Sequence, residues 1–137
     1  MHSLFDHGAF PCAPASFNMA AYVLAHADKT PDKIALSVIS LTEVDDWTYG
    51  ALKAAVLGTG AGLLKHGLKP GDRVIMRLGN TVEFPIAYLA CIAVGLIPVP
   101  TSSQLTASVV EKMVAELTPS AILRAPAVAC PETPGIV

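Results

Sequence analysis

Residues 69–78 read KPGDRVIMRL and predict a tight turn that leads into a buried strand over Arg73–Leu78. Pro70 has the backbone φ that the second position of a type II turn requires, and Gly71 tolerates the positive φ of the third position. Val74–Met76 is apolar without interruption. A strand with no polar face is typical of the centre of a parallel sheet, because other elements cover both of its faces.

A long helix is predicted before this turn, from a cap at Thr48 to about His66. Gly67 follows it, where the left-handed backbone of a helix end suits glycine. The run Gly58–Gly62 falls inside this helix. We therefore interpret its glycines as a close-packing surface, since a dinucleotide-binding loop has to lie between a strand and a helix N-terminus. The predicted inward stripe consists of Leu52, Val56, Thr59 and Leu63, joined by Ala55.

A second helix is predicted after the strand, and it runs to about Val94. Asn80 and Glu83 have the spacing of a capping box at its start. Pro85 conflicts with that start, because proline has no N–H to donate inside a helix. The first turn is therefore expected to be distorted or to begin later. Gly95 ends the helix.

The remaining elements alternate between helices and strands. Asn18 is placed to cap a helix from about Met19 to Ala27, and Thr106 to cap one that ends near Leu117. Short connections between such elements imply parallel pairing with right-handed crossovers. The predicted fold class is α/β: a layered helix–sheet–helix subdomain with a mainly parallel sheet, plus a short N-terminal hairpin. The other strands are predicted at Ile34–Ile39, Val44–Thr48, Ile97–Pro100 and Ala121–Arg124.

This pattern divides the chain into three segments. Residues 1–16 are an irregular lead-in, residues 17–124 form the α/β subdomain, and residues 125–137 form an extended, proline-rich tail. The composition is 53% apolar and only 15% charged, against about 25% charged residues in typical soluble domains. Such an excess predicts an apolar surface that is covered by a partner, with the chain itself self-associating.

The apolar stretch Phe84–Val110 carries no charged residue. Gly95 and Pro98 interrupt it, so a buried helix followed by a buried strand explains it better than a membrane span. Its apolar side chains and the proline-rich tail are the expected contributors to self-association. The N-terminus also lacks the pattern of a signal peptide.

Charge and cysteine content exclude further classes of function. The net charge is −2 and no basic run occurs, so no nucleic-acid partner is predicted. Cys12, Cys91 and Cys130 have no metal-like spacing and suit a reducing cytoplasm, with Cys91 in the core. The four histidines are scattered. No metal site and no catalytic constellation is predicted from the residues.

The most polar loop, Thr101–Thr106, follows a predicted strand. Ligands in open α/β sheets bind beyond the C-terminal ends of the strands, and the hydroxyl groups of serine and threonine can donate to phosphate or amide groups. The loop lacks the glycine density and the lysine of a phosphate cradle. A helix cap with a solvated turn is therefore the plainer interpretation.

Three ordered blocks of sequence together resemble the N-terminal region of the adenylate-forming superfamily, which includes the acyl-CoA synthetases. The resemblance covers about residues 17–124, and the loop Thr101–Thr106 is similar to that of the medium-chain and aryl acyl-CoA synthetases. The blocks are Asn18–Ala35, with TPDKIA at 30–35; Trp47–Val74, with GLKPGDRV at 67–74; and Gly79–Pro100, with EF at 83–84 and PVP at 98–100.

The resemblance implies an enzyme that joins a carboxylate to ATP as an acyl-adenylate, from which the thiol of CoA displaces AMP. ATP, Mg²⁺ and CoA would serve the full-length enzyme. Ser102, Ser103 and Gln104 become candidate residues on the pantetheine and acyl side of its cleft.

The family's Ser/Thr/Gly-rich phosphate loop, which ends in Pro-Lys-Gly, is missing from these 137 residues, as is its C-terminal catalytic lysine. The chain is therefore expected to be inactive alone and to have the remainder of the synthetase as its partner. Two other interpretations stay open: a free-standing flavodoxin-like nucleotide-binding module, and a non-catalytic interaction domain.

Overall fold

The strand predicted within residues 69–78 lies at the centre of the fold. The computed structural model describes residues 8–10, 12 and 14–133. Its helices and strands are α1 (Met19–Val23), β1 (Ile34–Ile39), β2 (Val44–Thr48), α2 (Tyr49–Lys65), β3 (Arg73–Arg77), α3 (Glu83–Ala93), β4 (Ile97–Pro100), α4 (Ala107–Leu117) and β5 (Ala121–Arg124).

Strand β3 pairs in parallel with β4 on one side and with β5 on the other. Val74, Ile75 and Met76 are 0% exposed, which confirms the predicted buried central strand. Strand β4 is an edge strand of this sheet. That position suits Pro98 and Pro100, since a proline has no N–H to give to a further strand.

The turn before β3 has the predicted geometry. Gly71 has a φ of 92°, as the third position of a type II turn requires. The Asp72 N–H donates to the Lys69 carbonyl at 3.0 Å. The Asp72 carboxylate accepts from the Lys69 N–H at 2.8 Å, so the side chain closes the same turn from the other direction.

The helices cover the sheet in layers. The β3–α3–β4 and β4–α4–β5 connections run in opposite directions across it, so right-handed crossovers place α3 and α4 on opposite faces. Helix α3 lies against β3 and β4, and α2 packs mainly against α3. The predicted inward stripe of α2 is largely confirmed: Leu52, Val56 and Leu63 are buried, whereas Ala55 and Thr59 are half-buried.

The packing of α2 on α3 depends on one glycine. A Cβ atom at Gly60 would lie 2.9 Å from Val94 Cγ1 and 3.3 Å from the Ala90 carbonyl oxygen. Gly58 and Gly62 face open space instead. The close-packing interpretation is therefore confirmed for Gly60 and not for the other two.

Strands β1 and β2 form the predicted antiparallel hairpin, with a bulge between Ile34 and Leu36. Ser40 organises the turn, because its hydroxyl accepts from the Glu43 N–H at 2.9 Å and its own N–H donates to the Glu43 carbonyl at 2.9 Å. Leu36, Val38 and Trp47 pack against the buried cluster that α2 and α3 share.

The predicted end of the first helix is wrong. Asn18 caps α1 as predicted, accepting from the Ala21 N–H at 3.0 Å. The helix nevertheless ends at Val23 rather than near residue 27, because N–H groups beyond it bond three residues back, as Ala27 does to Leu24 at 3.0 Å.

The predicted capping box of α3 does not form. The helix begins at Glu83, and its N-cap is Val82, which makes no side-chain cap hydrogen bond. Pro85 consequently falls in the first turn, where its missing N–H would have had no helical partner. Thr106 stands at the N-cap of α4 as predicted, but its hydroxyl lies 3.1 Å from Ser108 Oγ instead of accepting from the backbone.

The two terminal segments are described in part. Residues 1–7, 11 and 13 of the lead-in and 134–137 of the tail lie outside the described residues. The tail, predicted to be extended, begins with a turn: the Val128 N–H donates to the Ala125 carbonyl at 3.2 Å, and Ala127 has a φ of 62°. In the described part of the chain, no helix combines the length and apolar character needed to cross a membrane.

Most of the large exposed apolar side chains lie outside the stretch 84–110, which was predicted to supply the apolar surface. Within the predicted stretch 84–110, α3 is largely buried, and the large apolar side chains that are exposed there are Ile97 and Val109. The hairpin and the N-terminal part expose more, namely Phe10, Phe17, Tyr22, Val23, Ile34, Ile39, Leu41 and Val44.

Candidate functional site

The polar loop 101–106 lies at the C-terminal ends of β3 and β4. Thr101 is fixed there, because its N–H and its hydroxyl both donate to the Met76 carbonyl at 3.0 Å. The Leu105 N–H donates to the Ser102 carbonyl at 3.2 Å and closes residues 102–105 into a turn. The loop thus occupies the edge at which ligands of open α/β sheets bind.

Two of the three candidate site residues line a pocket of about 250 Å³ at this edge. Gln104 does not line it; that side chain is exposed, and the Gln104 N–H donates to Ser102 Oγ at 3.2 Å. The structure therefore brings Ser102 and Ser103 together and leaves Gln104 outside. The lining residues are Leu78, Gly79, Asn80, Phe84, Thr101, Ser102 and Ser103.

The pocket offers hydrogen bonds without charge. Of the described residues that line it, none is ionisable, while Asn80, Thr101, Ser102 and Ser103 carry amide or hydroxyl groups. A phosphate group is held best by charged donors, whereas neutral donors and acceptors suit an amide. The lining therefore favours an uncharged amide ligand over a phosphate.

An apolar groove of about 410 Å³ adjoins this pocket and shares Leu78 with it. It runs between the hairpin, α2, α3 and β5. An alkyl or aryl group would bury apolar area in such a groove. Its apolar lining includes Trp47, Ala55, Leu78, Val82, Ile86, Ala87 and Leu123, and Glu83 and Arg124 also line it.

Glu83, the first residue of α3, lines the groove. Hydrogen bonding, first from the Thr81 side chain and then from the backbone, lowers the pKa of the Glu83 carboxyl. The side chain is exposed, so it stays ionised at neutral pH. Its negative charge also suits the N-terminus of α3.

Arg77, the last residue of β3, is the main feature that the sequence analysis missed. It is 0% exposed, and its guanidinium group donates to three main-chain carbonyls. Nε donates to Ala129 at 2.8 Å, Nη1 to Ser102 at 3.0 Å, and Nη2 to Leu105 at 2.8 Å. Arg77 therefore joins both ends of the 102–105 turn to the tail.

A signal for this role exists in the sequence. Arg77 follows three buried apolar residues in a strand that helices cover on both faces, where a cation needs acceptors. The acceptors are not visible in the sequence, because they are main-chain carbonyls 25, 28 and 52 positions away.

The cysteines form no reactive centre in the described part of the chain. Cys91 is buried as predicted, and burial raises the pKa of its thiol to about 11. It therefore stays protonated and unreactive at neutral pH. Cys12 is an exposed free thiol, and Cys130 is half-buried. No group of three or more potential metal ligands occurs among the described residues.

Comparison with known proteins gives one family. A model of the AMP-binding enzyme family matches residues 23–135. The match begins at the last residue of α1 and includes the whole parallel sheet, the candidate pocket and most of the tail.

Individual relatives agree with this family. The medium-chain fatty-acid–CoA ligase of Escherichia coli K12 is 34% identical over 87 residues, and the vibriobactin-specific 2,3-dihydroxybenzoate-AMP ligase of Vibrio cholerae serotype O1 is 31% identical over 78 residues. These matches cover 61% and 57% of this chain. The chain spans only 14% of the length of either relative.

Solved structures show the same fold. A benzoate CoA ligase from Burkholderia xenovorans LB400 superimposes with a TM-score of 0.74 at 26% identity. The superposition covers 82% of this chain and 22% of that one.

Proposed function

Because this chain belongs to the AMP-binding enzyme family, we propose that it is the N-terminal part of an ATP-dependent acyl-CoA synthetase. The proposed enzyme joins a carboxylate to ATP with release of pyrophosphate, and the thiol of CoA then displaces AMP to give acyl-CoA. ATP, Mg²⁺ and CoA are its proposed co-substrates and metal, and the cytoplasm its proposed location.

The observation that most strongly supports the proposal is the pocket at the C-terminal ends of β3 and β4, with the apolar groove beside it. Ser102 and Ser103 supply hydroxyl groups, and the lining holds no charge. Pantetheine carries two neutral amides, which such a lining can bind. We therefore assign these serines to the pantetheine side of the cleft and the groove to the acyl side.

A medium-chain or aryl carboxylate is the proposed acid. Two facts support this choice: the names of the relatives include a medium-chain fatty acid, a dihydroxybenzoate and a benzoate, and the groove is mostly apolar. In the cleft of the complete enzyme the groove would hold the acyl chain, and the remainder of the synthetase would cover it.

These 137 residues are proposed to be inactive in adenylation by themselves. The transition state of adenylyl transfer needs fixed positive charge on the phosphates. The sequence contains no Ser/Thr/Gly-rich run that ends in Pro-Lys-Gly. Positive charge at the phosphates is therefore assigned to parts of the synthetase beyond this chain.

The test is an NMR titration of the ¹⁵N-labelled chain with pantetheine and, separately, with ATP. We expect pantetheine to shift the amide signals of 78–80, 84 and 101–103, and ATP to leave them in place. Ser103→Ala should weaken the pantetheine shifts, with Ser108→Ala on α4 as the matched control. A micromolar ATP site would instead favour a free-standing nucleotide-binding module.

A further inference from the structure

Arg77 places a permanent positive charge inside the protein, and it forms no ion pair with any residue that the structure describes. The only ion pair among the described residues joins Lys53 to Asp28, at 2.6 Å. A buried cation loses its hydration, and neutral carbonyls replace it incompletely. An aliphatic side chain of similar size would avoid that loss but would take these donors from three carbonyls, so the arginine has to be explained by the groups that it bonds.

The three acceptors explain it better. Ser102 and Leu105 are the two ends of one turn, and the Ser102 carbonyl accepts both the Leu105 N–H, at 3.2 Å, and Arg77 Nη1, at 3.0 Å. With Nη2 on the Leu105 carbonyl at 2.8 Å, the planar guanidinium fork holds both ends at once. The carbonyls of these two residues are directed to the buried guanidinium group, on the side of the turn away from solvent.

We propose that Arg77 is a positioning residue, which fixes the 102–105 turn so that the hydroxyls of Ser102 and Ser103 line the ligand pocket. The second part of this inference, that the fixed turn supports ligand binding, rests on the proposed pantetheine site. Through Nε, at 2.8 Å from the Ala129 carbonyl, the same side chain also ties the tail to the pocket. Arg77 itself does not line the pocket, so it acts through the turn.

The first experiment measures amide hydrogen exchange in Arg77→Met, without ligand. We expect the amides of Gln104 and Leu105 to exchange about tenfold faster, because the turn loses two charge-assisted hydrogen bonds. The amides of β3 should keep their protection. Arg73→Met is the matched control, since Arg73 is an exposed arginine of the same strand that donates to one main-chain carbonyl, that of Leu117 at 3.2 Å, and lines neither the pocket nor the groove. Unchanged exchange at Gln104 and Leu105 would overturn the positioning role.

The second experiment separates positioning from a general loss of structure. Addition of methylguanidinium at millimolar concentration to Arg77→Ala should restore the slow exchange of Leu105, whereas tetramethylammonium should not. No rescue would count against the guanidinium fork. If the variants fail to fold, hydrogen exchange of the side-chain N–H groups of Arg77 is measured in the unmodified chain instead. They should exchange far more slowly than those of exposed Arg124, and equal rates would refute the buried hydrogen bonds.

The third experiment links the turn to the ligand. Arg77→Met should weaken pantetheine binding about fivefold, because the serine hydroxyls are no longer held in place. Arg73→Met, which alters neither the pocket nor the groove lining, should bind like the unmodified chain. If amide exchange at Gln104 and Leu105 increases but the affinity for pantetheine is unchanged, Arg77 orders the turn without supporting ligand binding. The second part of the inference is then wrong. If the unmodified chain does not bind pantetheine, the proposed function fails, while the exchange result still decides the role of Arg77 on the turn.

Discussion

The central strand and the N-terminal hairpin are built from the same kinds of residue but are covered very differently. In β3, Ile75 is 0% exposed between two neighbouring strands, whereas Ile39 at the end of β1 is 76% exposed and Leu41 in the hairpin turn is fully exposed. The hairpin contacts α2, and its Leu36, Val38 and Trp47 pack against the buried cluster that α2 and α3 share. The comparison shows that this chain fully buries the central strand of its parallel sheet and leaves its hairpin partly exposed.

The strongest test of this contrast compares Ile75→Ala with Ile39→Ala. Truncation of a fully buried isoleucine should lower the free energy of unfolding by about 3 kcal/mol, because it removes buried methylene groups and leaves a cavity. The same change at Ile39 should alter it by less than about 0.5 kcal/mol. Urea denaturation followed by circular dichroism measures both. Equal losses at the two positions would mean that the hairpin is covered after all.

A second pair compares two glycines of one helix. Gly60→Ala should destabilise the chain by about 2 kcal/mol, because the new methyl group overlaps Val94 and approaches the Ala90 carbonyl. Gly58→Ala, which faces open space, should stabilise it by about 0.5 kcal/mol through helix propensity. The thermal unfolding midpoint should fall for Gly60→Ala and rise for Gly58→Ala. A loss at both positions would refute the specific contact between α2 and α3.

A third pair compares two helix caps. Asn18→Ala should cost about 1.5 kcal/mol, because Asn18 both caps α1 and donates from Nδ2 to the Ile92 carbonyl at 2.8 Å. Thr106→Ala should cost less, since its hydroxyl makes no cap hydrogen bond. Urea midpoints again give the comparison. A larger effect at Thr106 would show that α4 is capped in solution in a way that the structure lacks.

The smallest effect expected is on association between copies of the chain. We predict that the uncovered apolar surface of the hairpin drives self-association, rather than the stretch 84–110. Ile39→Lys with Leu41→Lys should raise the dissociation constant about fivefold, or about 1 kcal/mol. Ile97→Lys at the sheet edge is the control and should change it less. Sedimentation across a concentration series measures this, and a monomer at every concentration would refute the prediction.

Much of the fold could be predicted because its signals are local. The bounds of β1, β2, β4 and β5 match the prediction residue for residue, and turn chemistry at Pro70 and Gly71 placed the start of β3. The sequence left the start of α3 open, because the Asn80–Glu83 spacing suits a cap while Pro85 predicts a distorted or later first turn. The helix begins later, at Glu83. Competition between two local signals of this kind is settled by packing, which the sequence does not show.

The candidate site could be predicted only in its position. A polar loop after a strand points to the correct edge of the sheet, and Ser102 and Ser103 do line a pocket there. Gln104 does not line this pocket, and its proposed role at the site stays a prediction. Arg77 was missed because three distant carbonyls surround it, and no pattern of side chains records where a carbonyl points.

ATP–pyrophosphate exchange by the purified 137-residue chain tests most directly the proposal that these residues do not adenylate a carboxylate by themselves. The assay would use medium-chain and aryl acids with Mg²⁺, and an intact acyl-CoA ligase as the positive control. We expect exchange at background with every acid, because the proposed function gives this chain one wall of the cleft and assigns the positive charge at the phosphates to other parts of the synthetase. Robust exchange that stays with the chain through purification would contradict this.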